Sequence, residues 1–137
     1  MKKLLTVVLL TLVIEATSQT KPVKIVFDVT SADSLTHQAV LRHVSLMATA
    51  YPQSSFEVVV YGSAMPMFVK GKSTVATAIQ KLEANPKVSF KVCEQTMARY
   101  KVDKSQLVAN VGTVPDGILE IVNRQAEGWG YIKEAHH

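Results

Sequence analysis

The sequence predicts a single α/β domain built around a mainly parallel sheet of about five strands. Three observations lead to this prediction. The chain has 137 residues, which is the size of one domain with one core. Hydrophobic residues make up 47% of it and charged residues 19%, as in a packed globular protein. Strand-like and helix-like segments alternate, and such βαβ units form a parallel sheet with helices on both faces, a three-layer sandwich.

The first third of the chain predicts a strand, a helix and a second strand. Residues 23–30 are dense in β-branched side chains and predict a buried strand. The helix that follows is capped by Asp33 or Ser34 and runs to about Ala50. Residues 54–62 predict the second strand, which ends at a glycine.

The middle of the chain predicts a loop, a helix and a third strand. The apolar stretch 63–73 contains a proline and a glycine and is expected to be a loop. Ser73 is expected to cap the second helix, which stops at Asn85 because a proline follows. Residues 87–93 predict the third strand, and a short helix is expected over about 95–100.

The last part of the chain predicts two more strands, 107–114 and 128–133, with a helix between them. This helix is expected to begin at Thr113, with Pro115 in its first turn and Asp116 completing a capping box. The helix carries an apolar stripe formed by Ile118, Ile121 and Val122.

The N-terminal residues 1–18 predict a cleaved secretory signal. Two lysines open the chain, and the apolar run 4–14 that follows is too short to span a bilayer. Small residues next to Ser18 offer a cleavage site, so the mature domain is expected to cover 19–137 and to start near Gln19. We therefore expect a secreted or periplasmic protein with no membrane attachment after cleavage.

Several function classes lack support in the sequence. The formal net charge of +4 is spread along the chain without a basic patch, so nucleic-acid binding is not predicted. No P-loop, GxGxxG or GxSxG motif is present. His37 and His43 are six residues apart and share no helix face, so they do not predict a metal site. The terminal His136 and His137, native or a tag remnant, are assigned no function.

The only cysteine, Cys93, lies where the third strand meets its helix. One cysteine forms no intramolecular disulfide, so it is either a packing residue or a free thiol kept for chemistry. Ligands of open α/β sheets bind beyond the carboxyl ends of strands, and the start of a helix favours a thiolate. Arg99, with Lys70 and Lys72 on the preceding loop, can add positive charge. The neighbouring Glu94 carboxylate acts in the opposite direction.

Four segments in this order, KIVFDVT, EVVVYGSAMPMF, VSFKVCEQTMARYKV and VPDGILEIVNRQAEGWGYIK, cover nearly the whole mature chain. Together they resemble the DsrE/DsrF-like family, which includes sulfur-relay subunits of the TusD type. The resemblance implies a flavodoxin-like sheet of five parallel strands with no flavin or other bound cofactor, and assembly into trimers or hexamers. In sulfur-relay members a cysteine at this strand-to-helix turn accepts a persulfide sulfur, and Cys93 is the residue that matches.

The sequence thus predicts an exported, homo-oligomeric sulfur or thiol carrier that uses Cys93 in a persulfide or redox relay, with a sulfur-donor or acceptor protein as its partner. The pocket around the cysteine is predicted to contain Gly62, Met65, Lys70, Lys72, Gln95, Thr96 and Arg99. Two alternatives stay open. One is a non-catalytic oligomer that binds a small ligand and has Cys93 buried. The other is a copper-handling protein that uses Cys93 with Met65, Met67 and Met97.

Overall fold

The computed structural model describes residues 20–135, so the predicted signal peptide and the two terminal histidines lie outside the described residues. The strands are β1 (Lys24–Val29), β2 (Ser55–Val60), β3 (Val88–Cys93), β4 (Val111–Val114) and β5 (Gly130–Lys133). The helices are α1 (Ser34–Ala50), α2 (Ala76–Lys81), α3 (Glu94–Tyr100) and α4 (Gly117–Ala126), with 3₁₀ segments at Gly62–Phe68 and Lys104–Gln106. In the described part of the chain, no helix is long and apolar enough to cross a membrane.

The five strands form one sheet in the order β4-β3-β2-β1-β5, and every pair is parallel. The predicted fold class, a single α/β domain with a five-stranded parallel sheet, is confirmed. The strand order differs from the flavodoxin order 2-1-3-4-5, because here the chain steps from β1 to β4 in one direction. It then crosses back and adds β5 beside β1. Right-handed crossovers therefore place α4 on the opposite face from α1 and α2.

One face of the sheet carries the main hydrophobic core. Phenylalanines from three strands are buried on it, and Phe90 meets Phe68 of the 3₁₀ segment edge to face, with ring centroids 6.0 Å apart. Helices α1 and α2 cover this face through Val40, Val44 and Ile79, which are fully buried. This apolar layer holds the strands in register and so fixes where the carboxyl ends of β2 and β3 lie.

The opposite face is covered by α4 and has a small apolar cluster of Val26, Val59 and Ile121. Much of the rest of this sheet face carries polar side chains. The carboxylate of Glu57 is 1% exposed and accepts hydrogen bonds from Arg124 Nη2 at 3.0 Å and from Ser89 Oγ at 3.0 Å. The same guanidinium lies over the Trp129 ring, 4.9 Å from its centroid. An ion pair therefore ties α4 to the sheet.

Three predicted segments differ from the structure. Ser73 does not cap α2, which has Val75 as its N-cap residue and ends at Lys81, short of the predicted end at Asn85. The stretch predicted as an apolar loop begins within a buried 3₁₀ segment, because Ala64, Met67 and Phe68 turn their side chains into the main core. The fourth strand begins at Val111, later than predicted. Leu107 ends a 3₁₀ turn and forms an isolated antiparallel bridge with Val69 instead of joining the sheet.

The start of α4 also differs from the prediction. Asp116 is the N-cap residue, and its Oδ1 accepts the N–H groups of Ile118 and Leu119 at 2.9 and 3.1 Å. Thr113 does not cap this helix. It belongs to β4, and its hydroxyl donates to Glu94 Oε1 at 2.7 Å. Asp116 lies directly before the helix and caps it. Thr113, three residues earlier, is held in β4 by the hydrogen bonds of the sheet and cannot reach the helix start.

Candidate functional site

A cavity of about 270 Å³ opens at the carboxyl ends of β2 and β3, beside the starts of α3 and α4. This is the edge at which open α/β sheets bind their ligands. Its lining residues come from three consecutive turns of the fold and are Tyr61, Gly62, Cys93, Gln95, Thr96, Arg99, Asp116 and Ile118.

Cys93 is both the last residue of β3 and the N-cap residue of α3. Its backbone is extended, with φ −70° and ψ 123°, and it still pairs with Val114 of β4. The chain therefore passes from strand to helix without a loop. The cysteine is a free thiol and only 6% exposed, with its side chain at the wall of the cavity.

Two helix starts converge on the sulfur. The N–H groups of Gln95 and Thr96 belong to the first turn of α3, and Gly117 supplies the first N–H of α4. Cys93 forms no capping hydrogen bond of ordinary length, so these donors act on it as weak, longer contacts that a thiolate would strengthen. Gln95 Nε2 donates to Asp116 Oδ2 at 3.3 Å and so links the two helix starts directly.

The surroundings of Cys93 favour its ionised form. Burial raises the pKa of the thiol, but the N–H of Gly117, the N–H and hydroxyl of Thr96, and the N–H of Gln95 together lower it by more. The net result is a pKa below the ordinary value of a cysteine. A larger fraction of Cys93 is therefore thiolate at neutral pH, which is the nucleophilic form.

The neighbouring Glu94 carboxylate, expected to oppose a thiolate, is occupied elsewhere. It accepts the Thr113 hydroxyl at 2.7 Å and lies 3.6 Å from Lys104 Nζ. The Thr113 hydrogen bond is the largest influence on the pKa of Glu94, and together with the Lys104 charge it lowers that pKa by more than desolvation raises it. Its negative charge is thus held on the β4 side by a hydroxyl and an ammonium group.

Four of the predicted pocket residues line the cavity together with Cys93, namely Gly62, Gln95, Thr96 and Arg99. The other three lie elsewhere. Met65 is 1% exposed and belongs to the main core. Lys70 Nζ donates to the Ser105 carbonyl at 2.9 Å, and Lys72 is exposed. The segment that carries both lysines is bound to the second 3₁₀ segment through Lys70 N–H and the Gln106 carbonyl, 2.8 Å apart, and so does not fold over Cys93.

Sequence reasoning missed Tyr61, Asp116 and Ile118 as cavity residues, and it missed the contact of Gly117 with Cys93. Tyr61 follows β2 directly, so its place at a strand carboxyl end was a usable signal. The positions of Asp116, Gly117 and Ile118 depend on how α4 crosses the sheet. A parallel sheet brings β4 beside β3, and the turn after β4 then places the start of α4 against Cys93.

A second polar cluster lies beside the cavity, at the carboxyl ends of β1 and β5. Asp28 is 5% exposed and accepts the Tyr131 hydroxyl at 2.6 Å and Lys133 Nζ at 3.3 Å. Lys133 also donates to Thr30 Oγ1 at 2.6 Å. The hydrogen bond to Asp28, followed by burial, raises the pKa of Tyr131 to about 12. Burial, followed by the charge of Asp28, raises the pKa of Tyr61.

A metal-binding function gains no support from the side chains. Within residues 20–135, no group of three or more His, Cys, Asp or Glu side chains is placed to hold a metal ion. The three methionines considered for copper, Met65, Met67 and Met97, are buried in the main core. Their thioethers pack against apolar side chains.

Comparison with solved structures supports the fold. A protein of unknown function, MTH1491 from Methanobacterium thermoautotrophicum, is 25% identical with a TM-score of 0.75, over 81% of this chain and 98% of that chain. The ychN protein from E. coli is 13% identical with a TM-score of 0.67, over 83% and 99%. A conserved protein of unknown function, BT1422 from Bacteroides thetaiotaomicron, is 14% identical with a TM-score of 0.63, over 80% and 93%.

No curated protein matches the chain at a significant level. The family comparison does give a match, since the model of the DsrE/DsrF-like family covers residues 23–133. This range contains all five strands and the complete cavity around Cys93. The chain therefore belongs to the DsrE/DsrF-like family.

Proposed function

We propose that this protein carries sulfane sulfur on Cys93 as a persulfide and passes it to an acceptor thiol. Membership of the DsrE/DsrF-like family supports a role of the sulfur-relay type. The observation that carries the assignment to Cys93 is the convergence of two helix starts on this one sulfur, within a cavity. Such surroundings stabilise a thiolate and also the anionic persulfide that it would form.

The transfer step needs no external oxidant. The Cys93 thiolate attacks the outer sulfur of a donor persulfide, R–S–SH. A new S–S bond forms at Cys93, the S–S bond of the donor breaks, and the donor leaves as the thiolate R–S⁻. The proton of the donor stays on the transferred sulfur, and the charge moves from Cys93 to the donor. Delivery to an acceptor thiolate is the same exchange with Cys93 as the leaving group.

The cavity limits the shape of the donor. Its volume is about 270 Å³ and Cys93 is 6% exposed, so the donor has to present its sulfur on a small molecule or at the end of a slender segment. The exposed Arg99 at the cavity is suited to meet an anionic group of that donor. A redox relay through a mixed disulfide would use the same geometry.

Sulfur loading tests the proposal directly. Incubation with inorganic polysulfide is expected to add about 32 Da per sulfur to the intact mass, and the gain should disappear after treatment with a reductant. The Cys93→Ser variant has no thiol and is expected to gain nothing. Continued uptake of reducible sulfur by Cys93→Ser would exclude Cys93 as the carrier. Transfer is then followed by mixing the loaded protein with a small acceptor thiol.

The proposal includes a homo-oligomer. Helix α4 exposes three apolar side chains, with Ile118 at 59%, Leu119 at 55% and Val122 at 53%. An exposed apolar ridge of this kind is typical of a protein interface, and the family resemblance implies trimers or hexamers. Leu119→Glu is expected to shift the sedimentation coefficient toward that of the monomer. A wild-type protein that sediments as a monomer would remove this part of the proposal.

Export is a further part of the proposal, based on the predicted signal at residues 1–18. Cell fractionation of a bacterium that expresses the full chain is expected to place the protein outside the cytoplasm. N-terminal sequencing of that material should start near Gln19. A mature protein that still begins at Met1 would contradict the export proposal without affecting the chemistry of Cys93.

The low exposure of Cys93 favours one alternative, an oligomeric protein that binds a small ligand in this cavity and uses the cysteine only for packing. Alkylation separates the two functions. Rapid labelling of the native protein supports the carrier, whereas labelling only after unfolding supports the ligand-binding protein. The labelled position is confirmed by the absence of reaction in Cys93→Ser.

A further inference from the structure

Thr96 occupies a special position relative to the cysteine. It is the third residue of α3, and Cys93 is the N-cap residue of the same helix. The side chain of an N-cap residue faces the third residue of its helix, as in a capping box. Thr96 is 8% exposed and lines the same cavity as Cys93. Its hydroxyl is therefore largely shielded from solvent, in the wall of the cavity that also contains Cys93.

A hydrogen bond from another segment fixes the direction of this hydroxyl. The N–H of Gly62 donates to Thr96 Oγ1 at 3.0 Å. Gly62 has φ +60°, a left-handed conformation that glycine adopts without strain, and this turn aims its N–H at Thr96. Because the oxygen already accepts one hydrogen bond from the backbone, the hydroxyl has its own hydrogen left to donate. Cys93, the N-cap residue three positions earlier, lines the same cavity, so its sulfur is the acceptor to which this hydrogen can turn when the thiol ionises.

We propose that Thr96 is a positioning residue for Cys93, whose hydroxyl passes the hydrogen bond of Gly62 on to the sulfur and holds the thiolate toward the cavity. Two linked hydrogen bonds polarise each other, so the backbone N–H at the end of β2 strengthens the donor that acts on Cys93. This inference rests on the proposed carrier function for its purpose, because a fixed thiolate is useful only if Cys93 reacts.

Other polar groups line the same cavity and have to stay constant in a test. They are Tyr61 at the end of β2, whose pKa is influenced by the Cys93 charge, Arg99 of α3, and Asp116 at the start of α4. Glu94 lies next to Cys93 in the chain and is held by Thr113. A substitution at Thr96 changes none of these charges.

Two substitutions separate positioning from packing. Thr96→Val keeps the shape and removes the hydroxyl, and Thr96→Ser keeps the hydroxyl and removes a methyl group. The rate of alkylation by iodoacetamide, measured across pH, gives the pKa of the thiol. We expect Thr96→Val to raise that pKa and to slow labelling at neutral pH by about three- to tenfold, because less thiolate is present. Thr96→Ser is expected to restore most of the wild-type profile.

Thermal unfolding of each variant shows whether the fold is kept. A Thr96→Val protein that loses thermal stability but keeps the wild-type pH profile would overturn the inference and leave Thr96 as a structural partner of Gly62. A measurement on the wild type covers the case in which Thr96→Val does not fold. The amide ¹⁵N shift of Gly62 should titrate with the same midpoint as Cys93, and this titration should be absent in Cys93→Ser. A Gly62 amide ¹⁵N shift that does not change as the thiol titrates would also overturn the inference.

The result of the Thr96 experiments does not depend on the result of the sulfur-loading test. Sulfur loading of the wild type can fail while Thr96 still sets the pKa of Cys93, in which case the positioning holds but its purpose is different. Loading can equally succeed with an unchanged pH profile in Thr96→Val. The two failures are therefore distinguishable.

Discussion

The two faces of the sheet differ in chemistry and in how they are covered. One face is apolar and packed under α1, α2 and the first 3₁₀ segment. The other is covered by α4, has a small apolar cluster, and carries buried charges such as Glu57 and Asp28. Cys93 lies at the rim of this second face, against the start of α4. Because the apolar face buries many more hydrophobic side chains, we expect it to supply most of the stability, while the polar face shapes the surroundings of the thiol.

Removal of a core ring should have the largest effect on stability. Phe90 is 1% exposed and packs against Phe68. Phe90→Ala leaves a cavity and is expected to lower the free energy of unfolding by about 3–5 kcal/mol, measured by urea denaturation. If the division between the two faces is correct, the folded fraction of this variant keeps the wild-type pKa of Cys93. Leu46→Ala, at a position of α1 that is 63% exposed, serves as the control and should change stability by less than about 0.5 kcal/mol.

The ion pair of the polar face should come next in magnitude. Arg124→Met leaves the Glu57 carboxylate buried without its cation and is expected to cost about 2–4 kcal/mol in the free energy of unfolding. The double variant Glu57→Gln with Arg124→Met removes both charges and should recover part of that loss. A double variant that is as unstable as the sum of the two single variants would show that the pair contributes packing rather than charge compensation.

The apolar face was largely predictable from the sequence. Strands β1 and β2 consist mainly of β-branched and aromatic residues, and Asp33 caps α1 as its sequence position predicts. Cys93 was also placed correctly at the end of β3, since an alternating segment gives way there to a helical one. These features are local, so their signals lie within a few neighbouring residues.

The polar side of the site was less predictable, because it depends on contacts between distant segments. Gly117 reaches Cys93 only through the crossing of α4 over the sheet, 24 positions further along the chain. Lys70 and Lys72 were expected over the cysteine, but a bridge between Val69 and Leu107 holds their segment away. Contacts between segments that are distant in the sequence leave no signal in neighbouring residues. The charges of Lys70 and Lys72 and their order along the chain were therefore not sufficient to locate these side chains.

The contact between α4 and Cys93 can be broken with one methyl group. A Cβ at Gly117 would lie 3.1 Å from Cys93 Cβ and 3.3 Å from Tyr61 Cδ1, closer than ordinary packing. Gly117→Ala is therefore expected to push the start of α4 away and to withdraw its N–H from the sulfur. We expect the pKa of the thiol to rise, because one of the donors that stabilise the thiolate is lost. The pH dependence of iodoacetamide labelling measures this shift.

A glycine of the sheet edge provides the matched control. Gly130 has no atom closer than 3.7 Å to an added Cβ, so Gly130→Ala should leave the labelling profile unchanged. Equal profiles for Gly117→Ala and the wild type would show that the N–H of Gly117 has no part in lowering the pKa of Cys93.

The smallest expected effect concerns the second polar cluster and appears at high pH, because Tyr131 is 44% exposed and solvent weakens its interaction with Asp28. The hydrogen bond to Asp28 raises the pKa of Tyr131 from 10.0 in the unfolded chain to about 12. The folded protein thus holds the phenol proton more tightly. The resulting stabilisation is complete below pH 10 and is lost as the pH rises through about 12. Tyr131→Phe removes this dependence. The difference in unfolding free energy between wild type and variant should therefore shrink from about pH 9.5 to about pH 11.5, measured at one fixed ionic strength. A difference that stays constant over this range would mean that the hydroxyl of Tyr131 is not bound to Asp28 in solution, and that the polar cluster beside the cavity is looser than the packed face behind it.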